Sequence, residues 1–236
     1  MFEILFSNTK TYNYIFYHMF CVNDALERFL RTYSKIQLSG IINEIDFIYI
    51  NCVGKNKHIY SQKIYNLPKV NINIGDHHKD ESETLNILRN FAIANPIGNS
   101  LYLHSKGASK QKSHKFNSIP KKEYEYNVQT WIDCMEYFLI EDYKNCLKIL
   151  ESYDNCGIFF VNPNHNKSAY AGNFWWATNK YLSTLNKCSK ISRHRAEYRF
   201  LIPHLSNYKE LYSNYKNFMY KYPIHRNLYT KQPSLL

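Results

Sequence analysis

The stretch Asn99-Ser100-Leu101-Tyr102-Leu103-His104-Ser105-Lys106-Gly107 organises our interpretation of the chain. A short, largely apolar run ends there in a histidine, a lysine and a glycine. Buried strands of open α/β sheets end in this way where they present ligand-binding groups at the carboxyl edge of the sheet. We therefore predict a buried strand that brings His104 and Lys106 to an anionic ligand. An ordinary core strand followed by a solvated loop is the alternative.

A strongly basic segment follows this strand. Six lysines and no acidic residue lie between Lys106 and Lys122. A polar connection of this length inside a compact domain is typical of a lid or a disordered segment. The sequence thus predicts a basic flap that closes over the ligand.

Strand and helix patterns alternate before this stretch. Residues 14–20, 45–53 and 70–74 have the apolar, β-rich character of strands, and residues 101–103 continue the series. Helical spacing of apolar residues follows the first strand and ends at Ser39-Gly40, and it returns from Leu85 to Ala92. Strands alternating with helices predict an α/β fold with a mainly parallel sheet flanked by helices. The chain has neither a G-x-G-x-x-G fingerprint nor a P-loop, which excludes those two phosphate-binding motifs.

The second half continues this pattern. Residues 123–150 carry one apolar stripe and are expected to form the longest helix, and residues 157–161 are expected to form a fifth strand. Thr178 is expected to cap a short helix, and the residues after Pro203 to form a helix or an extended tail over the sheet. We predict a single Rossmann-like domain with a nucleotide-binding half at residues 1–107. Residues 108–236 would form its acceptor-side half and a basic C-terminal extension.

The charge of the chain indicates an anionic partner. Its formal net charge is +11, and residues 187–236 contain only Glu197 and Glu210 against ten lysines and arginines. Such a balance suits nucleic acid, a membrane surface or a phosphorylated small molecule, and does not choose among them. Peripheral membrane contact through the basic C-terminus therefore remains open.

The cysteines and the apolar segments indicate the compartment. None of the six cysteines forms a C-x-x-C pair, and most lie in apolar stretches, so we expect buried free thiols of a reducing compartment. No secretory signal pattern and no apolar stretch long enough for a transmembrane helix is present. The sequence therefore predicts a cytoplasmic protein.

Three segments, taken in order, resemble a known family. They are Tyr17-His18 with Cys21-Val22-Asn23, then Leu101 to Gly107, and then Gly172-Asn173-Phe174-Trp175-Trp176-Ala177 with Arg195-Ala196-Glu197. This order resembles the small glycosyltransferase-like proteins of bacterial surface-polysaccharide clusters and large DNA viruses. The resemblance implies a GT-A-like fold and transfer of a sugar from a UDP- or GDP-linked donor to a glycan or other hydroxyl acceptor. For a viral protein it implies the host cytoplasm.

One departure from the GT-A pattern concerns the metal. GT-A enzymes commonly hold Mn²⁺ or Mg²⁺ with an Asp-x-Asp at the end of the fourth strand, where this chain has His104-Ser105-Lys106. A charged lysine cannot bind a metal but can neutralise a phosphate directly. His104 can bind a metal, yet a lone imidazole makes a poor site for Mg²⁺, which takes oxygen ligands. We therefore expect cationic stabilisation of the diphosphate by Lys106, with the use of a metal undecided.

The resemblance also implies binding and catalytic residues. The nucleotide would contact Phe20, Val22 and Asn23 at the end of the first strand, together with His104, Ser105 and Lys106. Gly172, Asn173, Trp175 and Trp176 would form an acceptor platform, since sugars stack on flat apolar rings. On a strand the two tryptophans point to opposite faces, so at most one faces the cleft, and both can instead be core residues.

Glu197 is the candidate general base for an inverting transfer. It is one of only two acidic residues in the last fifty, and three arginines flank it. A surface helix with a Glu197–Arg193 pair is the alternative. Asp76 and Glu83 are weaker candidates, better explained as turn and capping residues.

Two other classes of function remain as alternatives. The charge and the tyrosines of residues 208–230 suit a nucleic-acid-binding module, but no RNA- or DNA-binding signature is present, so we expect no nucleic acid. The other alternative is a catalytically inactive, transferase-like domain that binds glycans.

Overall fold

The computed structural model describes residues 11–76, 81–108, 118–161, 169–188, 200–201, 206–213 and 220–230. The described strands and helices alternate through the chain. In order they are β1 (Asn13–Phe20), α1 (Ala25–Leu38), β2 (Phe47–Val53), α2 (Lys57–Ile64), β3 (Val70–Ile74), α3 (Ser82–Ala94), β4 (Asn99–His104), α4 (Lys121–Glu136), α5 (Tyr143–Leu150), β5 (Asn155–Ile158), β6 (Phe160–Val161), β7 (Ala169–Tyr170), β8 (Trp175–Thr178), α6 (Asn179–Thr184) and β9 (Tyr208–Tyr212).

A central sheet of seven strands has the order β3-β2-β1-β4-β8-β5-β9. The neighbours from β3 to β4 pair in parallel, as do β5 and β9. Strand β8 is antiparallel to both of its neighbours, β4 and β5. The predicted α/β fold with a mainly parallel sheet is therefore confirmed. Strands β6 and β7 form a separate antiparallel pair.

The sheet separates two hydrophobic cores, because successive side chains of a strand point to opposite faces. Ile15, Tyr17 and Met19 of β1 join α1 and α4 in the larger core. Tyr14 and Phe16 join α3 in the second core. The continuously apolar β1 sequence follows from this burial on both faces.

Most predicted elements of the first half are confirmed. Strand β3 has the predicted bounds. Helix α1 stops at the predicted Ser39-Gly40, where Gly40 adopts a φ of 82°. Helix α2 was not predicted, because residues 57–64 are mostly polar and bury little besides Lys57 and Ile64. It forms the helical crossover between the parallel strands β2 and β3.

The predicted long helix over residues 123–150 is interrupted. A π-helical segment, Tyr137–Glu141, separates α4 from α5. The insertion of a wider turn shifts the apolar stripe, so that Leu139 and Ile140 remain buried across the junction. The predicted fifth strand is also divided, because Phe159 adopts φ 55° between β5 and β6.

The described part of the C-terminal region belongs to the sheet and its larger core. Residues 208–212 form β9, which pairs with β5 at the edge of the sheet, so the expectation of a helix or a tail over the sheet is wrong there. Tyr212, Ile224 and Tyr229 are buried in the larger core. All six cysteines are buried and free, as predicted. Among the described residues, no helix combines the length and apolar character needed to cross a membrane.

Candidate functional site

A change of direction in the sheet places the candidate site. The chain builds outward from β1 through β2 to β3, then returns to add β4 on the other side of β1. In open α/β sheets, ligands bind in the crevice outside the carboxyl ends of the strands at such a switch point. His18 of β1 lies opposite His104 of β4 in the strand register. The switch-point rule therefore places the candidate crevice just beyond these two histidines.

The two strand ends are joined by hydrogen bonds. The Phe20 N–H donates to Ser105 Oγ over 2.9 Å, and Asn23 Nδ2 donates to the Ala108 carbonyl over 2.7 Å. Asn23 has φ 48° and is itself held through its carbonyl by the Tyr60 hydroxyl. The structure thus brings together Phe20, Asn23 and Ser105, three of the predicted nucleotide-binding residues, and the half-buried Val22 lies between the first two.

Two cationic side chains lie at the end of β4. The Lys106 ammonium is 4.2 Å from the centroid of the Trp131 ring, which belongs to α4. Gly107 has φ 79°, and a Cβ there would come within 3.4 Å of Arg28 Nη1. Arg28 also pairs with Asp24 over 3.0 Å. Lys106 and Arg28 thus place two cationic groups at this end of β4, with Arg28 paired to Asp24. Most of the predicted basic flap, residues 109–117, lies outside the described residues.

Glu81 is a site residue that the sequence analysis missed. Its Oε2 accepts hydrogen bonds from the Tyr102 hydroxyl over 2.9 Å and from Asn173 Nδ2 over 2.7 Å. Its Oε1 lies 3.9 Å from His104 Nδ1. A carboxylate directly before α3 is favoured by the helix dipole. The only signal in the sequence is the position of Glu81 in the acidic segment before α3, where the capping role was assigned to Glu83 alone.

His104 connects β4 to the segment before β8. Its Nε2 lies 2.8 Å from the Gly172 carbonyl oxygen. A carbonyl can only accept, so Nε2 carries the hydrogen and the neutral ring keeps a lone pair on Nδ1. The three segments that supply Glu81, His104 and Gly172-Asn173 are therefore held in one fixed arrangement.

The pKa values of this pair follow from burial and from its neighbours. Burial lowers the pKa of His104 to about 4, although the nearby Glu81 opposes that shift and Lys106 adds to it. Burial alone would raise the pKa of the Glu81 carboxyl. His104 and His18, with the hydrogen bonds from Tyr102 and Asn173, outweigh burial and lower the pKa overall. At neutral pH the pair is therefore a carboxylate beside a neutral imidazole.

A chain of polar side chains continues from the crevice under α3. His18 Nδ1 is 2.8 Å from Thr84 Oγ1, and Asn51 Nδ2 donates to the same oxygen over 3.0 Å. Asn73 Nδ2 donates in turn to Asn51 Oδ1 over 2.8 Å. His18, Asn51 and Thr84 are buried, so these bonds satisfy groups that would otherwise be costly in the interior. They also fix the carboxyl ends of β1, β2 and β3 relative to α3.

The two predicted platform tryptophans belong to the cores. Trp175 and Trp176 point to opposite faces of β8, as predicted, but they are only 1% and 0% exposed. Trp175 stacks on Tyr102 and donates its indole N–H to Asn173 Oδ1 over 2.9 Å, and Trp176 donates to the Leu139 carbonyl. A stacking platform needs an exposed ring face, and neither ring has one. Trp175 holds the site residues Tyr102 and Asn173 in place, whereas Trp176 is a residue of the larger core.

Gly172 and Asn173 remain at the site. Gly172 has φ 98°, and a Cβ there would overlap Met135 Sδ and approach Trp131 Cζ2 within 3.1 Å. Only glycine therefore lets this turn lie against α4 while its carbonyl accepts from His104.

Several candidate residues lie outside the described residues. These are the predicted base Glu197 and the three arginines that flank it, Arg193, Arg195 and Arg199. Of the weaker candidates, Glu83 accepts a hydrogen bond from the Asp76 N–H over 3.1 Å, as expected of a residue that stabilises the turn. Within the described ranges, no three His, Cys, Asp or Glu side chains gather as a metal site.

The fold defines the class of protein: a mixed α/β domain with a mainly parallel seven-stranded sheet, compatible with a Rossmann-like fold. Its candidate site is polar and lies at the switch point of the sheet. The chain belongs to the family described as Domain of unknown function (DUF8361), whose model matches residues 16–223. A comparison with curated proteins finds no match.

Proposed function

We propose that this protein is a glycosyltransferase that moves a sugar from a UDP- or GDP-linked donor to a hydroxyl of a glycan acceptor. The observation that carries the proposal is the junction of β1 and β4, where the Phe20 N–H donates to Ser105 Oγ. Lys106 is the next residue in the chain, and Arg28 of α1 lies beside Gly107. A nucleoside diphosphate is the ligand chemistry that suits a switch-point crevice with a cationic end. The GT-A-like resemblance of the sequence supports the same assignment.

The proposed chemistry needs charge stabilisation at the leaving group. As the bond between the sugar and the diphosphate breaks, negative charge develops on the leaving oxygen. Lys106 would neutralise that charge, and fixed cations placed where charge develops are the usual source of such catalysis. The nucleoside would lie against the loop of Phe20, Val22 and Asn23.

The acceptor would be activated by Glu197, which takes the proton of the attacking hydroxyl in an inverting displacement. Gly172 and Asn173 would contact the acceptor side of the cleft. A metal enters no step of this proposal. Glu81 and His104 offer one carboxylate oxygen and one imidazole nitrogen at the end of β4, fewer oxygen ligands than Mg²⁺ requires.

A melting screen tests the proposal. We expect UDP or GDP and their sugars, UDP-glucose or GDP-mannose, to raise the melting temperature, with Mn²⁺ present or absent as a variable. Lys106→Ala is expected to remove most of the shift, because it deletes the charge that contacts the diphosphate. Lys180→Ala is the matched control, since it removes an exposed lysine of α6 far along the chain. The absence of a shift with every nucleotide at millimolar concentration would refute the proposal.

Two further measurements separate the alternatives. Transfer or hydrolysis of the donor, lost in Glu197→Gln, distinguishes an active transferase from an inactive glycan-binding domain. Salt-sensitive binding to a single-stranded oligonucleotide would instead favour the nucleic-acid module. Membrane contact through the basic C-terminal residues stays a prediction that vesicle sedimentation can test.

A further inference from the structure

Two hydrogen-bond acceptors face each other at the centre of the site. His104 Nδ1 carries a lone pair because Nε2 donates to the Gly172 carbonyl. Glu81 Oε1 lies 3.9 Å away, while the two donors to this carboxylate, Tyr102 and Asn173, both bind Oε2. No hydrogen bond joins Oε1 or Nδ1 to a donor in the described part of the chain. Two acceptors in this position leave hydrogen-bonding capacity for a ligand that brings its own donors.

The remaining contacts hold the pair in place. Trp175 Nε1 donates to Asn173 Oδ1 over 2.9 Å and so fixes the amide that binds Glu81. Tyr102, which also binds Glu81, is stacked on Trp175 with ring centroids 5.1 Å apart. Both Glu81 and His104 are partly accessible, with side chains 13% exposed. The pair is thus preorganised and reachable from the crevice, which reduces the entropy cost of binding.

We infer that Glu81 Oε1 and His104 Nδ1 bind a vicinal diol, one hydroxyl to each acceptor. Adjacent hydroxyls on a sugar ring present two O–H donors side by side, and two acceptors 3.9 Å apart are close enough for each to accept from one of them. This inference rests on the proposed function, and it names the part of the substrate that the site recognises. The diol comes from the transferred sugar or from the ribose of the nucleotide, and the experiment distinguishes these two sources.

Glu81→Gln tests the inference. The glutamine oxygen can still accept from Tyr102 and Asn173, while its amide can donate to His104 Nδ1 and so replace the ligand's hydroxyl. We expect a folded protein whose affinity for UDP-glucose, measured by calorimetry, falls at least about tenfold. Glu83→Gln is the matched control, because it removes a carboxylate two residues further along that binds Asp76 instead. The control is expected to keep the wild-type affinity.

Ligand pairs identify the source of the diol. If the ribose supplies it, Glu81→Gln weakens UDP as much as UDP-glucose, and 2′-deoxy-UDP is insensitive to the substitution. If the transferred sugar supplies it, only UDP-glucose is weakened. GDP and GDP-mannose provide the same comparison for the other base. Equal affinities in the wild type and Glu81→Gln for every ligand that binds would overturn the inference.

The ¹⁵N signals of the His104 ring provide a second readout that does not require a nucleotide. Addition of UDP-glucose, GDP-mannose or free glucose is expected to shift Nδ1. A shift with glucose and none with nucleotides would support the diol site and reject the nucleotide-dependent function. No shift with any of these probes would overturn the diol site, as would a stoichiometric Mn²⁺ ion bound at His104 in place of the hydroxyls.

Discussion

Burial of the His104 side chain makes the stability of the folded protein depend on pH. The pKa of His104 is lowered from 6.5 to about 4 by burial, so the unfolded chain takes up more protons than the folded chain between those values. Stability should therefore fall as the pH falls through this window. We expect His104 to account for about 2 kcal/mol of the stability lost between pH 7 and pH 5. Urea denaturation of the wild type and His104→Gln at the two pH values measures this contribution.

His58→Gln is the control for that measurement, because His58 is an exposed histidine of α2. It should retain the full loss of stability at pH 5, whereas His104→Gln should lose about 2 kcal/mol less than the wild type. Equal pH dependence in all three proteins would contradict the assignment of this loss to the burial of His104.

The turn before β8 depends on a glycine that packs against a helix. Gly172 and Gly40 both have positive φ, but only Gly172 has α4 against it, while a Cβ at Gly40 meets nothing within 4 Å. Gly40→Ala should cost about 1 kcal/mol from backbone strain alone. Gly172→Ala should cost about 2 kcal/mol more, because its methyl group must displace Met135 and Trp131. Urea unfolding of both variants compares the two costs.

Gly172→Ala and Gly40→Ala can also be compared for their effect on ligand binding. Gly172→Ala moves the carbonyl that accepts from His104, so we also expect weaker binding of UDP-glucose than in Gly40→Ala. Equal destabilisation and equal affinity in the two variants would show that α4 does not constrain the turn.

The described C-terminal residues form part of the central sheet and of the larger core. A chain ending at Asn207 would lose β9 and the buried side chains of Tyr212, Ile224 and Tyr229. Loss of several buried aromatic and aliphatic side chains, at about 1.5–3 kcal/mol each, approaches the whole stability of a domain. We therefore expect this truncated chain to show no cooperative thermal unfolding by circular dichroism. A chain ending at Thr230 is the control and should melt near the wild-type temperature; cooperative melting of the shorter chain at that temperature would contradict the prediction.

The sequence by itself determined the elements whose pattern is local. Apolar runs predicted β1 to β4, and Thr178 caps α6 by accepting from the Tyr181 N–H as expected. The alternation of strands and helices predicted a mainly parallel sheet, and the polar ending of β4 indicated the candidate site. These features follow from side-chain periodicity and chain connectivity, which a sequence displays directly.

Only the tertiary structure decided which distant residues meet. Glu81 reaches His104 and Asn173 because α3, which follows it, packs against β1 and α6 and shares a core with Tyr102 of β4 and Trp175 of β8. No spacing in the sequence records the resulting contacts. Burial of Trp175 and Trp176 likewise depends on covering by helices on both faces of β8. The antiparallel insertion of β8 and the addition of β9 at the edge involve pairings between residues far apart in the chain. Such pairings depend on the packing of the whole sheet. Which residues meet at the candidate site is therefore decided by the tertiary structure and not by any local sequence pattern.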